Sequence, residues 1–163
     1  MKRRTFLLGA SAFAALAGAG ALMRPDGSEA GEFPYSLSDA EWKKKLPAKA
    51  YSVLRRHDTE QPFSSPLNSE KRAGVFHCRG CDHPLYSSKT KYESGTGWPS
   101  FYAPLRGAVG TSTDYKLIYP RTEVHCANCG GHLGHVFDDG PQPTGKRYCM
   151  NGVAMTFAAG ASG

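Results

Sequence analysis

The sequence predicts a mainly β protein of the α+β class, in which antiparallel strands form one compact domain behind small N-terminal helices. Three observations favour this fold. Gly and Pro are frequent, at 19 and 11 of 163 residues, and they divide the chain from Val75 onward into short segments. Those segments are rich in β-branched and aromatic residues, as strands are. They do not alternate with helical segments, so the strands are expected to pair antiparallel rather than through helical crossovers.

Two short helices are predicted ahead of the strands. Ser38 and Glu41 have the spacing of a capping box, so the first helix is expected to follow Ser38 and to end near Lys45. Pro47 suits the first turn of a second helix over about residues 47–56. After a loop that reads RRHDTEQPFSSPLNSEKRAG, the strand-prone segments are GVFHC, KLIYP, TEVHC, GHVF, RYCMN and AMTF.

Residues 1–21 have the pattern of a signal peptide rather than of a folded element. Basic residues precede an apolar run from Phe6 to Ala21, which is short and weakly hydrophobic for a membrane span. The adjacent Arg3 and Arg4, followed by Thr-Phe-Leu-Leu, resemble a twin-arginine signal, which exports folded proteins. The alternatives are an ordinary secretory signal and an uncleaved anchor. The resemblance implies a location in the bacterial periplasm or cell envelope, with no stable membrane insertion once the signal is removed.

The rest of the chain divides into a linker, one domain and a tail. Residues 22–36 are rich in Gly, Pro and Ser, residues 37–158 carry the predicted helices and strands, and residues 159–163 are expected to fray. The net charge of +6 includes three positive charges in the signal peptide, so the mature chain has only a mild positive excess. This mild excess speaks against a nucleic-acid partner, and we expect a monomer.

Four of the five cysteines form two C-x-x-C pairs, CRGC and CANC. Two such turns can surround one Zn²⁺ with four thiolates at about 2.3 Å, which makes a structural site because no position stays open for substrate. Two alternatives remain: a pair of disulfides, which an exported protein permits, and thioredoxin-like redox pairs. Turn-forming residues rather than a helix follow both pairs, which disfavours redox chemistry. The predicted zinc ligands are Cys78, Cys81, Cys126 and Cys129.

An internal similarity accompanies the cysteine pairs. The stretch VFHCRGCDHPL resembles EVHCANCGGHL, which predicts the same strand and tight cysteine turn in both. The zinc ion would then join two hairpins. His77 and His125 precede the pairs and are expected to have packing or surface roles, because neighbours on a strand point to opposite faces. His57 and His83 are predicted to be ordinary loop residues.

The fifth cysteine, Cys149, stands alone in GKRYCMNG. A free cysteine is a small buried hydrophobe, an intermolecular disulfide partner or a reactive nucleophile. Arg147 and Asn151 lie two residues to either side, on the same face if the segment is a strand, and Arg147 would favour the thiolate form. The stretch GHLGHVF brings His132 and His135, which can donate or accept a proton. The residues alone leave these alternatives open.

Several long motifs occur in order along the chain. They are LSDAEWKKKL near the start, SGTGWPSF at 94–101, and RTEVHCANCGGHLGHVFDDGPQPTGKRYC at 121–149 followed by MNG. Together they closely resemble the methionine-R-sulfoxide reductases of the B type over about residues 37–158. The resemblance implies an oxidoreductase that reduces the R epimer of methionine sulfoxide, mainly in oxidised proteins, back to methionine. It also implies one structural zinc ion.

The same resemblance assigns roles to individual residues. Cys149 would attack the sulfoxide sulfur and become a sulfenic acid. His132 and His135 would position or supply the proton for the departing oxygen. Trp98 would hold the substrate's methyl group against its indole face. A further pair would orient the substrate or stabilise charge at the sulfur: Arg147 and Asn151.

One position departs from many relatives of this family. Their second, resolving cysteine often lies in the motif that reads SGTGWPSF here, where this chain has Thr96, and the sequence contains no sixth cysteine. We therefore expect an external thiol reductant, such as a thioredoxin-like donor, to reduce the sulfenic acid. Two other function classes remain: a non-catalytic zinc-stabilised binding module, and a metal-dependent hydrolase, which four cysteine ligands disfavour.

Overall fold

The computed structural model describes residues 33–116 and 119–160. The predicted signal peptide, most of the predicted linker and the last three residues lie outside these ranges. Within them, nine short strands and two α-helices form a mainly β domain, which confirms the predicted fold class. No helix in the described part of the chain is long and apolar enough to cross a membrane.

Both predicted helices are present. The first, α1, spans Asp39–Lys45, and Ser38 caps it with the predicted capping box. The second, α2, spans Ala48–Arg56, so Pro47 is its N-terminal cap rather than its first helical residue. It ends at His57, whose backbone is left-handed with a φ of 54°.

The strands form two antiparallel sheets. They are β1 Gly74–Cys78, β2 Pro84–Ser87, β3 Lys91–Tyr92, β4 Ser100–Phe101, β5 Val109–Asp114, β6 Arg121–Cys126, β7 His132–Phe137, β8 Arg147–Met150 and β9 Met155–Ala159. One sheet has three strands in the order β2-β1-β9, and the other has six in the order β3-β4-β8-β7-β6-β5. Three short 3-10 helices lie at Pro66–Ser69, Ser88–Thr90 and Gly152–Ala154.

Five of the six predicted strand segments contain strands, and KLIYP does not. The described residues of KLIYP lie outside every strand. A strand forms just before this segment instead. This strand, β5, pairs with β6 along its whole length, from Val109 opposite Cys126 to Asp114 opposite Arg121. Because β5 is an edge strand with exposed central residues, its sequence VGTSTD lacks the apolar residues that identify a strand.

The two helices cover the end of the domain where the cysteine turns meet. Trp42 of α1 is 2% exposed and lies beside Gly80 in the first cysteine turn. Arg55 of α2 donates to the Cys129 carbonyl at 3.1 Å and lies over the Trp42 ring. The helices therefore help to hold both turns. The largest fully buried side chains of the core include Tyr86, Phe76, Phe101, Leu54, Leu85, Leu133, Met150 and Met155.

Candidate active site and zinc site

The four paired cysteines converge on one point. Cys78 Sγ lies 3.7 Å from Cys129 Sγ, Cys81 Sγ lies 3.6 Å from Cys126 Sγ, and all four sulfurs lie within 4.8 Å of one another. Four sulfurs at about 2.3 Å from a central Zn²⁺ would lie about 3.8 Å apart, so the cluster fits a tetrahedral zinc site. All five cysteines are free, so the disulfide alternative is wrong. The four cysteines form the zinc site that the sequence predicts.

Both cysteine turns have the same backbone geometry. In each, the N–H of the residue after the second cysteine donates to the carbonyl of the first, from Asp82 to Cys78 at 2.8 Å and from Gly130 to Cys126 at 2.9 Å. Asp82 and Gly130 are both left-handed, with φ values of 60° and 66°. The internal similarity is therefore a shared local structure. Each turn connects two strands rather than opening a helix, which argues against thioredoxin-like redox pairs.

Cys149 lies on β8, inside the six-stranded sheet. It is the register partner of His135 on β7 and of Ser100 on β4. β7 approaches closely because Gly134 has no side chain: a Cβ there would lie 2.1 Å from the Cys149 carbonyl oxygen. Cys149 is free and half-buried, so its sulfur is both accessible and held by paired backbone on either side.

A small cavity of about 110 Å³ opens at Cys149. This volume suits one side chain rather than a drug-sized ligand or cofactor, whose sites measure about 300–1,000 Å³. The cavity brings together four of the predicted catalytic and substrate residues, Cys149, Trp98, His135 and Asn151. The other lining residues are Thr59, Arg121, Gly134 and Phe137. A larger cavity, of about 460 Å³, contains none of the predicted site residues.

A carboxylate holds His135 at the cavity. His135 Nε2 lies 2.7 Å from Asp114 Oδ2, and Arg121 Nη2 donates to the same oxygen at 2.6 Å. Burial lowers the pKa of His135, although its hydrogen bond to Asp114 opposes this effect. The backbone N–H of Lys116 and the His135 ring hold the pKa of Asp114 well below its ordinary value. At neutral pH an uncharged His135 therefore donates Nε2–H to Asp114, which leaves Nδ1 free to accept a proton.

His132 lies behind His135 and does not line the cavity. It is 2% exposed, and its ring meets the His135 ring edge-on with 5.4 Å between centroids. Its Nδ1 lies 2.7 Å from Glu123 Oε1, and His57 Nδ1 lies 3.0 Å from the same oxygen. Burial would raise the pKa of Glu123, but hydrogen bonds from His132, His57 and Ser112 outweigh it and lower this pKa. Of the two predicted histidines, His135 therefore lines the cavity and His132 lies behind it.

The loop residue Glu60 connects Trp98 to Asn151. Its backbone N–H donates to Asn151 Oδ1 at 2.9 Å, and its carbonyl accepts from Trp98 Nε1 at 3.2 Å. Its carboxylate accepts from the backbone N–H groups of Gly152 and Val153 at 2.5 and 2.9 Å. Asn151 Nδ2 also donates to a β7 carbonyl at 3.0 Å. These bonds fix the turn that follows Cys149.

The chain has close relatives among known proteins. Residues 46–159 match the SelR domain family. A peptide methionine sulfoxide reductase MsrB of Agrobacterium fabrum is 50% identical over 121 residues, which are 74% of this chain and 90% of that protein. The MsrB protein of Pseudomonas putida is 53% identical over 118 residues, 72% of this chain and 89% of its own. That of Methanosarcina barkeri is 52% identical over 121 residues, 74% of this chain and 85% of its own.

The chain belongs to the methionine-R-sulfoxide reductase B family. Thr96, at the position where many members of the family have a second cysteine, lies beside the nucleophile candidate: its Oγ1 is 3.6 Å from Cys149 Sγ. Ser94 Oγ lies 2.8 Å from Thr96 Oγ1 and 2.8 Å from Ser100 Oγ. Three linked hydroxyls therefore lead to the sulfur in this methionine-R-sulfoxide reductase B.

Arg147 lies outside the cavity of this family member. Its Nε and Nη2 donate to the two carboxylate oxygens of Asp139 at 2.8 and 2.7 Å, and its guanidinium lies 4.4 Å from the Phe137 ring centroid. Hydrogen bonding to Asp139 raises the pKa of Arg147. Arg121 lines the cavity instead. β8 ends at Met150, so Asn151 lies beyond the strand and does not flank the sulfur together with Arg147 on one strand face. The substrate role of Arg147 stays a prediction.

The carboxylates that hold the two histidines of this reductase were not predicted from the sequence. Asp114 lies on β5, one of the strands that were not predicted. Glu123 is 8% exposed on β6, and a buried charge on a predicted strand was the available signal. His57, predicted to be an ordinary loop residue, bonds to Glu123. Nothing in the sequence pointed to Glu60, because it contacts Trp98 and Asn151 through backbone atoms, which every residue type carries.

Proposed function

We propose that the protein reduces the R epimer of methionine sulfoxide in oxidised proteins to methionine, with Cys149 as the nucleophile. One observation carries the proposal: the single cysteine outside the zinc cluster lies in a cavity of side-chain size, together with His135 and Trp98. The relatives named above are peptide methionine sulfoxide reductases, which supports the same reaction here. Four-thiolate zinc has no open position, so the ion is structural and a metal-dependent hydrolase is disfavoured.

The reaction transfers one oxygen atom between two sulfur atoms. The Cys149 sulfur attacks the sulfoxide sulfur and forms a transient bond to it. The oxygen then moves to the Cys149 sulfur as this sulfur–sulfur bond and the substrate's sulfur–oxygen bond break, which leaves a sulfenic acid on Cys149. The substrate gains two electrons and becomes a thioether, and Cys149 loses two. The proton of the Cys149 thiol moves to the transferred oxygen, so no net charge remains on the products.

His135 carries that proton. Its free Nδ1 accepts the proton of the Cys149 thiol and returns it to the departing oxygen. Asp114 fixes the ring and stabilises the imidazolium that forms between these two steps. His132 supports the His135 ring from behind. Arg121 also lines the cavity, and its donation to Asp114 Oδ2 helps to hold the carboxylate that orients His135.

Trp98 supplies the surface against which the substrate's methyl group lies. Its half-buried ring lines the cavity, and its Nε1–H is already bonded to the Glu60 carbonyl, so the ring orientation is set before substrate arrives. Methyl and sulfur groups contact aromatic rings favourably. Asn151 holds the turn after Cys149 through both atoms of its amide and completes the wall of the cavity.

An external thiol completes the cycle. One thiol attacks the sulfenic acid on Cys149, forms a mixed disulfide and releases water, and a second thiol then frees Cys149 as the external disulfide leaves. A thioredoxin-like donor supplies both thiols in one molecule. This order is supported by Thr96, which offers a hydroxyl rather than a thiol at 3.6 Å from the Cys149 sulfur.

The N-terminal pattern supports export of the folded, zinc-bound chain. We propose that residues 1–21 are a twin-arginine signal and that the protein acts as a monomer in the periplasm or cell envelope. Cell fractionation tests this: the full chain is expected in the periplasmic fraction, and replacement of Arg3 and Arg4 with lysine should retain it in the cytoplasm. Periplasmic recovery of the lysine variant would rule out the twin-arginine route.

Epimer-resolved turnover of a methionine sulfoxide peptide tests the catalytic proposal. Cys149→Ser is expected to abolish reduction of the R epimer and to keep the zinc ion, since Cys149 is not one of its ligands. Cys149→Ser with full activity would end the proposal. A wild-type protein that binds oxidised peptides without reducing either epimer would instead support a zinc-stabilised binding module.

A further inference from the structure

A second cluster of metal-ligating side chains lies outside the zinc site. His57 Nδ1, His132 Nδ1 and Glu123 Oε1 all lie within 4.8 Å of one another. Both imidazole nitrogens approach the same carboxylate oxygen, His57 at 3.0 Å and His132 at 2.7 Å. We propose that this two-histidine, one-carboxylate cluster binds one divalent transition-metal ion, for which Zn²⁺ is the probe.

Two imidazole nitrogens and one carboxylate oxygen suit a cation that is intermediate between hard and soft, such as Zn²⁺. Imidazole and carboxylate ligands bind Zn²⁺ at about 2.0–2.2 Å, so tetrahedrally arranged ligands around one ion lie about 3.3–3.5 Å apart. The observed nitrogen–oxygen separations are shorter, at 3.0 Å for His57 and 2.7 Å for His132, so the ligands need to spread by about 0.3–0.5 Å and about 0.6–0.8 Å respectively. The His57 side chain is 47% exposed at the end of α2, which gives it freedom to move and leaves the fourth position of the ion to water.

Two of the three ligands are already fixed. His132 and Glu123 are 2% and 8% exposed, on the neighbouring strands β7 and β6. Glu123 Oε2 accepts the Ser112 hydroxyl at 2.6 Å, which orients the carboxylate and leaves Oε1 for the ion. Hydrogen bonds of this kind behind a ligand strengthen metal binding. An arriving ion therefore has to order the exposed His57 ring and to widen the separation between His132 Nδ1 and Glu123 Oε1 from 2.7 Å.

Ion binding changes the tautomer of both imidazoles. Without the ion, each ring donates Nδ1–H to the Glu123 carboxylate, whereas a bound ion takes the Nδ1 lone pair and the proton moves to Nε2. The His132 ring meets the His135 ring at 5.4 Å, so the ion also alters the support of the catalytic histidine. We expect bound Zn²⁺ to slow sulfoxide reduction. That slowing rests on the proposed function, and the binding itself does not.

The experiment counts zinc per chain in the folded, zinc-loaded protein after equilibrium dialysis against excess Zn²⁺. The wild type should hold one more zinc than His57→Gly. Glycine suits the left-handed backbone of His57, so this variant removes a ligand without straining the helix end. Phe63→Gly is the matched control: its backbone is also left-handed, its side chain is 72% exposed, and it should keep the additional zinc.

Nuclear magnetic resonance of the imidazole nitrogens supplies a readout that is independent of turnover. Titration with Zn²⁺ should move the protons of both His57 and His132 from Nδ1 to Nε2 in the wild type, and should leave His132 unchanged in His57→Gly. Equal zinc content in wild type and His57→Gly, or unchanged imidazole tautomers, would overturn the site and leave the cluster as a hydrogen-bonded ion pair. If zinc binds but the protein reduces no sulfoxide, only the proposed function fails.

Discussion

The hydroxyl oxygen of Thr96 lies 3.6 Å from the sulfur of Cys149, at the position where many members of the family carry a second cysteine. The other four cysteines belong to the zinc cluster, in which all sulfurs lie within 4.8 Å of one another. A hydroxyl cannot form a disulfide. A sulfenic acid on Cys149 therefore has no spare thiol in its own chain, and its reduction depends on a thiol from outside.

Replacing Thr96 with cysteine is expected to create an internal route of reduction. The introduced thiol would start close to the present Oγ1 position, so a small side-chain rotation brings the two sulfurs to the disulfide distance of about 2.05 Å. It attacks the sulfenic acid, forms a disulfide with Cys149 and releases water. Mass spectrometry after a single turnover should find this disulfide, and thioredoxin should then reduce the variant faster than it reduces the wild type.

The control for this substitution is Thr96→Ser, which keeps the hydroxyl and should keep the wild-type dependence on external thiols. A disulfide between Cys149 and a zinc-site cysteine in oxidised wild type, with release of the ion, would contradict the account of Thr96. Both outcomes can be read from the same peptide maps.

The fold was predictable wherever local signals agree with tertiary structure. The two cysteine turns share a motif and a backbone geometry, and the capping box at Ser38 marks the start of α1. β5 was not predictable, because its exposed polar residues show no apolar pattern and its bonds to β6 form only once the two strands are paired. β3 and β4 span two residues each and are too short for any periodicity.

Within the site, the residues with rare chemistry were recognisable and their partners were not. Cys149 and Trp98 stand out by residue type and by their motifs. Asp114 and Glu123 are common surface residue types, and only the pairing of β5, β6 and β7 places them against the histidines. Glu60 contributes mainly backbone groups, which any residue type carries.

Asp114→Asn is expected to lower activity and to shift its pH dependence toward acid. His135 must be uncharged to accept a proton, so the rate falls as pH drops through its pKa. Burial lowers this pKa, and the hydrogen bond to Asp114 raises it in part. Removal of the Asp114 charge lowers the pKa further, so the acid limb of the profile moves to lower pH. The rate at neutral pH should fall by about 10²-fold, because the imidazolium loses its counter-charge.

The measurement is single-turnover reduction of a methionine sulfoxide peptide across the acid and neutral range. Asp139→Asn is the matched control, because Asp139 bonds to Arg147 and does not line the cavity. It should leave the acid limb in place. An acid limb that stays fixed or moves upward in Asp114→Asn would show that His135 is not the group that accepts the proton.

Glu60→Ala is expected to loosen the turn that follows Cys149. The variant leaves the backbone N–H groups of Gly152 and Val153 without their carboxylate partner, at a cost of about 1–3 kcal/mol in the free energy of unfolding. The turnover rate should fall further than this loss of stability alone would cause, because the same loop holds Trp98 and Asn151 in the cavity. Denaturant unfolding and peptide kinetics measure both effects. Glu70 is the matched control: its side chain is 12% exposed, its carboxylate accepts from the backbone N–H of Arg72, and it does not line the catalytic cavity. Glu70→Ala should lower stability without a comparable loss of activity.

Loss of the zinc ion is expected to lower the free energy of unfolding strongly. It should disturb the arrangement of the residues in the catalytic cavity much less. The ion joins the β1–β2 hairpin of one sheet to the β6–β7 hairpin of the other, so its removal separates the two sheets at that end. Cys81→Ser removes one ligand and should lower the free energy of unfolding by about 4 kcal/mol or more, with loss of bound zinc. Cys149→Ser, the same substitution at the cysteine outside the cluster, should keep both zinc and stability. If Cys81→Ser retained zinc and unfolded at the wild-type denaturant concentration, the cluster would not be the element that joins the sheets.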